Sequence, residues 1–205
     1  MTDSEKQFGV DIAATRADDL DKLLLTELSL KAGLSVLDIG SGAGGQSKRM
    51  HEIGAKVEAL DIQDYSKYYA DIPFTCMDAM MISALDYAKG QYDYVLAQRV
   101  IHYLPYSEAY RLLSALGNIT GTALYISVTG IESDIGKYYS DITKDVHSRF
   151  SKLEPEGREL FSISESICLY SRDEFETLLR KSGWSISKYW TSAFGNHKAI
   201  ATPIT

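Results

Sequence analysis

The sequence predicts an α/β fold in three layers, in which helices cover both faces of a mainly parallel, seven-stranded sheet with an antiparallel C-terminal strand. Three observations support this prediction. Short apolar segments alternate with segments of helical period along most of the chain. Glycines cluster at 40–45, directly after the first apolar segment. Gly195-Asn196, a pair typical of turns, separates the last two strand-like segments. Such alternation is typical of parallel sheets that are covered by helices.

The first half of the chain shows the clearest alternation. Leucines at helical spacing predict a helix over 20–28, and Gly33 lies just beyond it as a stop signal. A second helix, predicted over 46–53, follows the glycine cluster and is closed by Gly54. Short apolar segments predict strands at 36–39, 57–60, 74–76 and 92–97.

The second half continues the same pattern and closes with a hairpin. A helix is predicted to open at Pro105 and to end at Gly117. The spacing of Ser171 and Glu174 is that of a capping box, which opens another helix that ends at Gly183. Further strands are predicted at 123–128, 184–190 and 197–202.

The segment 131–170 is too long to be a simple connection. It follows the fifth strand and starts at the carboxyl edge of the sheet, where ligands bind in open α/β folds. A polar helix is expected over 137–150, with Gly136 and Gly157 as hinges on either side. We therefore expect residues 1–205 to form one domain, in which 131–170 is inserted as a substrate cap.

The sequence allows two arrangements of this cap. As a mobile lid, it would close aromatic side chains over the acceptor of the reaction. As a rigid extra layer, it would leave the acceptor site to be found around Phe8, Arg16 and the N-terminal helix. The aromatic residues expected to line a lid are Tyr138, Tyr139, Phe150 and Phe161.

Composition and charge argue against several classes of function. The 205 residues carry a formal net charge of −7 and no Lys/Arg cluster, so a large nucleic-acid surface is not expected. No apolar stretch approaches the roughly 18 residues of a membrane span. The His and Cys spacing does not indicate a metal site. Cys76 and Cys168 offer no disulfide framework and are both expected to be buried. With no apolar signal segment, these features predict a cytoplasmic protein.

The glycine-rich turn is the strongest candidate for a ligand site. Gly40, Gly42 and Gly44 lack a Cβ, so the backbone can turn sharply and a ligand can lie against it. Ser41, between the first two, belongs to the same predicted site. The pattern alone does not identify the ligand, because Gly40, Gly42 and Gly45 also satisfy the G-x-G-x-x-G of nicotinamide and flavin sites.

Asp38 favours one ligand class over the other. It lies two residues before the first glycine, near the end of the first strand. A carboxylate there repels the pyrophosphate of a dinucleotide. It attracts S-adenosylmethionine, which carries a sulfonium and an ammonium and no phosphate. A backbone-capping role at the loop is the alternative for Asp38.

Further acidic residues end the next two strands. Asp61 lies about 20 residues beyond the glycines, where a carboxylate accepts both ribose hydroxyls. An Asx-turn is its alternative role. Asp78 and Ala79 are expected beside the adenine, although Asp78 is also a plausible helix cap. Ile62, next to Asp61, completes this side of the predicted cofactor site.

At these residues the sequence resembles the class I S-adenosylmethionine-dependent methyltransferases, which have a Rossmann-like fold. Residues 38–44 resemble the family's first motif, and Asp61 and Asp78 match its positions after the second and third strands. Residues 92–98 resemble its fourth-strand motif. The resemblance implies S-adenosylmethionine as the cofactor and S-adenosylhomocysteine as the product. It covers two stretches, about residues 20–130 and 171–202.

The segment after the fourth strand is expected to lie beside the transferred methyl group. Gln98 is predicted to line the methionine end of the cofactor. His102 is a candidate general base for an oxygen or nitrogen acceptor. A histidine that bonds only to the loop backbone is the alternative.

The resulting functional prediction is methyl transfer to a small molecule by in-line displacement. A methyltransferase acting on RNA or protein is the first alternative, disfavoured by the acidic balance of the chain. An NAD-dependent oxidoreductase and a non-enzymatic binding module are the others. The sequence indicates no metal and no membrane partner, and it does not indicate an oligomeric state.

Overall fold

Seven strands form one sheet in the order β3-β2-β1-β4-β5-β7-β6 in a computed structural model that describes residues 17–204. Strands β1 to β5 pair in parallel, and β7 pairs antiparallel with both β5 and β6. The predicted sheet is therefore confirmed. Phe8 and Arg16, considered above for an acceptor site, lie outside the described residues. The strands are β1 (Ser35–Ile39), β2 (Lys56–Asp61), β3 (Phe74–Cys76), β4 (Tyr92–Gln98), β5 (Thr120–Thr129), β6 (Trp184–Thr191) and β7 (Asn196–Pro203).

Helices cover both faces of this sheet. None of the helices within residues 17–204 is long and apolar enough to cross a membrane. The α-helices are α1 (Asp19–Ser29), α2 (Gly45–Glu52), α3 (Tyr106–Ile119), α4 (Pro155–Phe161) and α5 (Arg172–Lys181). The 3-10 helices are Ser66–Tyr68, Ala79–Ala84, Ile101–Tyr103, Asp134–Tyr138, Ser140–Thr143 and Val146–Ser148.

Side chains that alternate along the strands divide the core into two layers. Val36 of β1 packs in one cluster with leucines of α1 and Met50 of α2. The next residue, Leu37, packs in the other cluster with leucines of α3 and Phe175 of α5. This period of two is expected of a strand that is buried on both faces, and it confirms the three-layer arrangement.

Local sequence signals set most helix ends, with one exception. The capping box is present, because the Ser171 hydroxyl accepts from the Glu174 N–H and the Glu174 side chain accepts from the Ser171 N–H. Gly117, however, does not end α3, which continues to Ile119. A Cβ on Gly117 would lie at an ordinary contact distance, 4.0 Å, from the buried Trp184 indole, so this position packs inside the helix and does not end it.

Two predictions about individual segments are wrong. Cys168 is buried as expected, but Cys76 is exposed at the edge strand β3. The polar helix over 137–150 is absent, and 3-10 turns replace it. The backbone is extended at Tyr139 because its buried ring packs inside the cap and its hydroxyl donates to the Ile167 carbonyl at 2.6 Å. This position interrupts helical geometry.

The glycines expected as hinges are also packing positions. Gly136 is buried in a 3-10 helix, and a Cβ there would lie 2.0 Å from the Ile131 carbonyl oxygen. Gly157 lies within α4, where a Cβ would lie 2.4 Å from Tyr138 Cβ. Neither glycine flanks a helix over 137–150, so the expected hinge positions are wrong.

The cap leaves and re-enters the sheet at neighbouring points. The Ile131 N–H donates to the Tyr170 carbonyl at 2.9 Å, and the Tyr170 N–H donates to the Thr129 carbonyl at 3.2 Å. Arg149 is buried and binds both carboxylate oxygens of Glu174, at 2.7 and 3.0 Å, which attaches the cap to α5. The segment has a small core of its own, formed by Tyr139, Leu153, Ile167 and Leu169.

Candidate active site

The glycine-rich turn connects the end of β1 to the start of α2, at the carboxyl edge of the sheet. Gly40, Gly42 and Gly44 adopt φ angles of +66°, +53° and +80°. This left-handed region is strained for residues with a Cβ. Gly44 is also the N-terminal cap residue of α2. The turn therefore lies where ligands bind in open α/β sheets.

Side chains from two other segments pack against this turn. A Cβ on Gly40 would lie 2.2 Å from Val100 Cγ2, and one on Gly44 would lie 2.9 Å from Tyr69 Cζ. The Tyr69 hydroxyl donates a hydrogen bond to the Gly42 carbonyl at 3.0 Å. Packing within the protein therefore requires glycine at 40 and 44, in addition to the backbone conformation.

Asp38 lies directly behind the turn and is 3% exposed. Its Oδ2 accepts a hydrogen bond from the Ser47 hydroxyl at 2.5 Å. Burial raises the pKa of Asp38 to about 7, an effect that the Ser47 hydrogen bond opposes and that the charges of Asp21 and Asp61 reinforce. A nearby cation would favour the ionised form of this carboxyl group.

Asp21 of α1 is a second buried carboxyl group at this site, and the sequence interpretation missed it. Burial raises its pKa to about 6. Its Oδ2 accepts from the Asp18 N–H at 2.9 Å and lies 3.8 Å from Arg49 Nη2. Its Oδ1 has no hydrogen-bond partner among the described residues. The available signal was its position three residues before Leu24, on the apolar stripe of the predicted helix.

This donor set fits a cationic cofactor. Asp38 and Asp21 are buried carboxyl groups near the glycine-rich turn, and Asp21 Oδ1 has no hydrogen-bond partner within residues 17–204. The sulfonium and ammonium of S-adenosylmethionine match these groups. A pyrophosphate would be repelled by them.

Asp61 joins the end of β2 to the turn. Its Oδ2 accepts from the Gly42 N–H at 3.0 Å, and its Oδ1 accepts from the Gln63 N–H at 2.9 Å. The Asx-turn considered as an alternative role is thus present. Each carboxylate oxygen keeps a further lone pair for a ribose hydroxyl. Ser41 is buried, and its hydroxyl donates to the Leu60 carbonyl at 3.3 Å, which attaches the turn to β2.

The predicted adenine side is open to solvent. Ile62 is 68% exposed, which is unusual for a large apolar side chain. Asp78 is exposed and caps the 3-10 helix that begins at Ala79, because its Oδ1 accepts from the Met80 N–H at 2.9 Å. The capping role is therefore present, and contact of these residues with adenine stays a prediction.

The end of β4 contacts both the turn and β5. Gln98 Oε1 accepts from Gln46 Nε2 of α2 at 2.8 Å, so Gln98 lies next to the turn, and its contact with the methionine end of the cofactor stays a prediction. Arg99 follows with φ +55°, and its N–H donates to the Ser127 carbonyl and hydroxyl at 3.0 and 3.1 Å. The sequence did not single out Arg99.

His102 lies beneath the cap and is 3% exposed. Its Nδ1 is 3.5 Å from the Thr129 hydroxyl oxygen, and its carbonyl accepts from the Cys168 N–H at 2.7 Å. Burial, with a contribution from the charge of Arg99, lowers the pKa of His102 to about 3. The imidazole is therefore neutral near pH 7. Its role as a base stays a prediction.

Comparison with known proteins identifies the class of this site. The family model described as a methyltransferase domain matches residues 12–189. The chain is 27% identical over 195 residues to chloroplastic magnesium protoporphyrin IX methyltransferase of Arabidopsis thaliana, covering 91% of this chain. It spans 58% of the length of that curated relative.

Solved structures share the fold. Magnesium protoporphyrin IX methyltransferase from Synechocystis PCC 6803 with bound S-adenosylmethionine matches with a TM-score of 0.60 and 18% identity, covering 89% of this chain and 77% of that one. Burkholderia thailandensis 1,6-didemethyltoxoflavin-N1-methyltransferase, with bound 1,6-didemethyltoxoflavin and S-adenosylhomocysteine, matches with a TM-score of 0.65 and 16% identity, covering 96% and 80%. The chain belongs to the methyltransferase domain family.

Proposed function

We propose that this enzyme methylates a small organic acceptor, which binds at the carboxyl edge of the sheet under the cap 131–170. The observation that carries this proposal is the contact between the cap and the end of β4, where the Cys168 N–H binds the His102 carbonyl at 2.7 Å. A site closed in this way favours a small acceptor. The net charge of −7 also disfavours a polyanionic one.

The chain's own contribution to the reaction is binding, orientation and exclusion of water. S-adenosylmethionine, when bound, supplies a methyl carbon that its sulfonium already activates. Asp38 and Asp21 bind the cationic end of the cofactor, Gln98 lines its methionine end, and Asp61 binds the ribose. Ile62, Asp78 and Ala79 form the adenine side in this proposal.

If the group to be methylated must lose a proton, His102 is the proposed base that takes it. A neutral imidazole has one nitrogen free to accept, and Nδ1 faces the Thr129 hydroxyl at 3.5 Å. If Thr129 donates to Nδ1, the other ring nitrogen carries the proton, and Nδ1 must be released before it can act. An acceptor that is already deprotonated would need no base.

The cofactor assignment is tested through Asp61. We expect Asp61→Ala to weaken binding of S-adenosylhomocysteine by about 1.5–3 kcal/mol, because charge-assisted hydrogen bonds to the ribose are lost. Isothermal titration calorimetry measures the affinity. Asp61→Asn keeps the Gly42 contact available and separates the loss of charge from damage to the turn.

Asp64→Ala is the matched control, since Asp64 lies in the same loop and accepts from the Ser66 N–H, at 2.9 Å. Equal affinity in wild type and Asp61→Ala would contradict the ribose assignment. The acceptor class is tested by incubating the enzyme with methyl-labelled cofactor and fractionated metabolites, RNA or protein. Label in the RNA or protein fraction alone would contradict a small acceptor.

A further inference from the structure

Arg99 occupies a strained position at the edge of the sheet where the acceptor is proposed to bind. Its φ of +55° is uncommon for a residue with a long side chain. Its N–H is held by two acceptors of Ser127 in β5, the carbonyl at 3.0 Å and the hydroxyl at 3.1 Å. Backbone strain of this kind persists only where the surrounding structure enforces it, and it clusters at ligand sites.

The neighbours of Arg99 place it between the cofactor turn and the cap. Gln98 binds Gln46 next to the turn, and the Val100 side chain packs against Gly40. Three residues further on, His102 binds the cap. The charge of Arg99 is close enough to the His102 ring to contribute to its lowered pKa.

The guanidinium of Arg99 is exposed and has no ion-pair partner among residues 17–204. Within residues 17–204, Arg149, Arg172 and Arg180 each form an ion pair with a glutamate side chain. The charges of Glu165 in the cap and of Arg99 both affect the pKa of Tyr103, so both lie near its ring. Glu165 nevertheless forms no ion pair with Arg99. The acidic side chains within residues 17–204 therefore leave this cation without an ion pair at the edge where the acceptor is proposed to bind.

We propose that Arg99 binds a carboxylate of the acceptor and so determines its specificity. This inference rests on the proposed function and adds the chemical class of the acceptor. A guanidinium binds a planar carboxylate through two parallel hydrogen bonds, which fix orientation as well as position. The carboxylate would direct the acceptor towards the methyl group without taking part in the transfer.

The test compares benzoate with benzamide, which has the same shape and no charge. Each is titrated into enzyme saturated with S-adenosylhomocysteine, and the Arg99 Nε–H resonance is followed by NMR. We expect benzoate to shift this resonance and benzamide to leave it unchanged. A resonance that responds equally to both compounds, or to neither, overturns the proposal. Tighter binding of phenyl phosphate than of benzoate would overturn the carboxylate assignment.

Substitutions provide a second measurement, by calorimetry on the same complex. Arg99→Asn should weaken benzoate binding about tenfold or more, while asparagine tolerates the left-handed backbone. Arg99→Lys should restore part of the affinity, because it keeps the charge. Arg111→Gln, which removes an exposed arginine on α3, is the control and should bind benzoate as wild type does.

These variants also separate the inference from the proposed function. Arg99→Asn should bind S-adenosylhomocysteine with wild-type affinity. Wild-type enzyme that fails to bind S-adenosylhomocysteine would contradict the cofactor site, and the response of Arg99 to benzoate would then be measured on the enzyme alone, with the same two outcomes. Arg99→Asn that binds benzoate as tightly as wild type overturns the role of Arg99 alone.

Discussion

The proposed contacts of Asp38 and Asp21 with the cofactor would link cofactor binding to protons. Burial raises the pKa of Asp38 to about 7 and that of Asp21 to about 6, whereas an aspartate in an unfolded chain titrates near 4. Between about pH 4 and pH 7 the folded protein therefore binds more protons than the unfolded chain. The contribution of these two groups to stability is present at low pH and is lost as the pH rises through their folded pKa values.

The cofactor has the opposite preference, because its cationic groups favour ionised carboxylates. We expect the affinity for S-adenosylmethionine to rise with pH until about pH 7, by up to about tenfold per unit for each of the two carboxyl groups, with about one proton released on binding near pH 6.5. Calorimetry in two buffers of different ionisation enthalpy measures that proton. Asp38→Asn should flatten the profile. Proton uptake, or no proton change, in wild type near pH 6.5 would contradict the linkage.

His102 gives a second prediction about pH. Because its pKa is lowered to about 3, its protonation should produce no fall in methyl transfer between about pH 8 and pH 5. If it acts as a base, His102→Gln should reduce turnover by about 10²–10⁴ while the affinity for S-adenosylhomocysteine stays unchanged. Turnover is measured with methyl-labelled cofactor. His51→Gln, at an exposed position on α2, is the control. Near-normal turnover in His102→Gln would leave this histidine a structural role.

The sequence predicts the chemical types in the cofactor site better than their contacts. The glycine turn, Asp38 and Asp61 follow from local spacing, since strand, turn and helix are adjacent along the chain. The role of Asp21 does not, because it depends on how α1 packs behind the turn. The left-handed backbone of Arg99 depends on Ser127 in another strand. Contacts between distant segments have no local signal in a single sequence.

At the scale of elements, the cap is the segment whose sequence was most misleading. The polar composition of 137–150 resembles an exposed helix, but Tyr139 and Arg149 turn inward there. Arg149 binds the Leu169 carbonyl at 3.0 Å in addition to Glu174. Buried contacts of this kind override helical propensity.

The motion of the cap is open to a direct measurement. If 131–170 is a lid, its amide hydrogens should exchange rapidly in the free enzyme and become protected when cofactor and acceptor are both bound. Exchange in α3, within the core, provides the internal reference. Strong protection of the cap in both states would identify it as fixed scaffold, and the acceptor would then have to enter by another route.

At the scale of the whole molecule, the first and last described elements are joined by a buried cation. Lys198 of β7 is 2% exposed and binds Asp18 and Asp19 at the start of α1. Trp190 of β6 also donates to Asp19, at 2.7 Å. This contact links residues about 180 positions apart and so joins α1 to the C-terminal hairpin.

Removing that cation should therefore destabilise the protein. We expect Lys198→Met to lower the free energy of unfolding by about 1–3 kcal/mol, because two aspartates lose their partner while keeping access to solvent. Urea denaturation measures the change. Lys181→Met on α5 removes an exposed lysine away from this contact and is the control. Equal stabilities of the two variants would show that the buried ion pair contributes nothing beyond a surface charge.

Most of the sheet topology could be predicted from the sequence, because each strand is a short apolar segment with clear boundaries. The alternation of strands and helices fixes the parallel part of the sheet, and Gly195-Asn196 predicts the hairpin. The placement of β7 between β5 and β6 is not encoded in any local pattern. It follows from pairing between strands over long distances in sequence.

The β-bridge between Gly130 and Tyr170 has a consequence for how the acceptor specificity of such an enzyme can change in evolution. A segment that departs and returns at one point can be exchanged for another of different length without shifting any strand. The cost of loop closure grows by only about 0.6 kcal/mol for each doubling of length. A replacement must still supply the side chains with which Val146, Cys168 and Tyr170 fill the main core. Under that constraint, and with the acceptor under the cap as proposed, the cap's share of acceptor recognition can change while the glycine-rich turn stays the same.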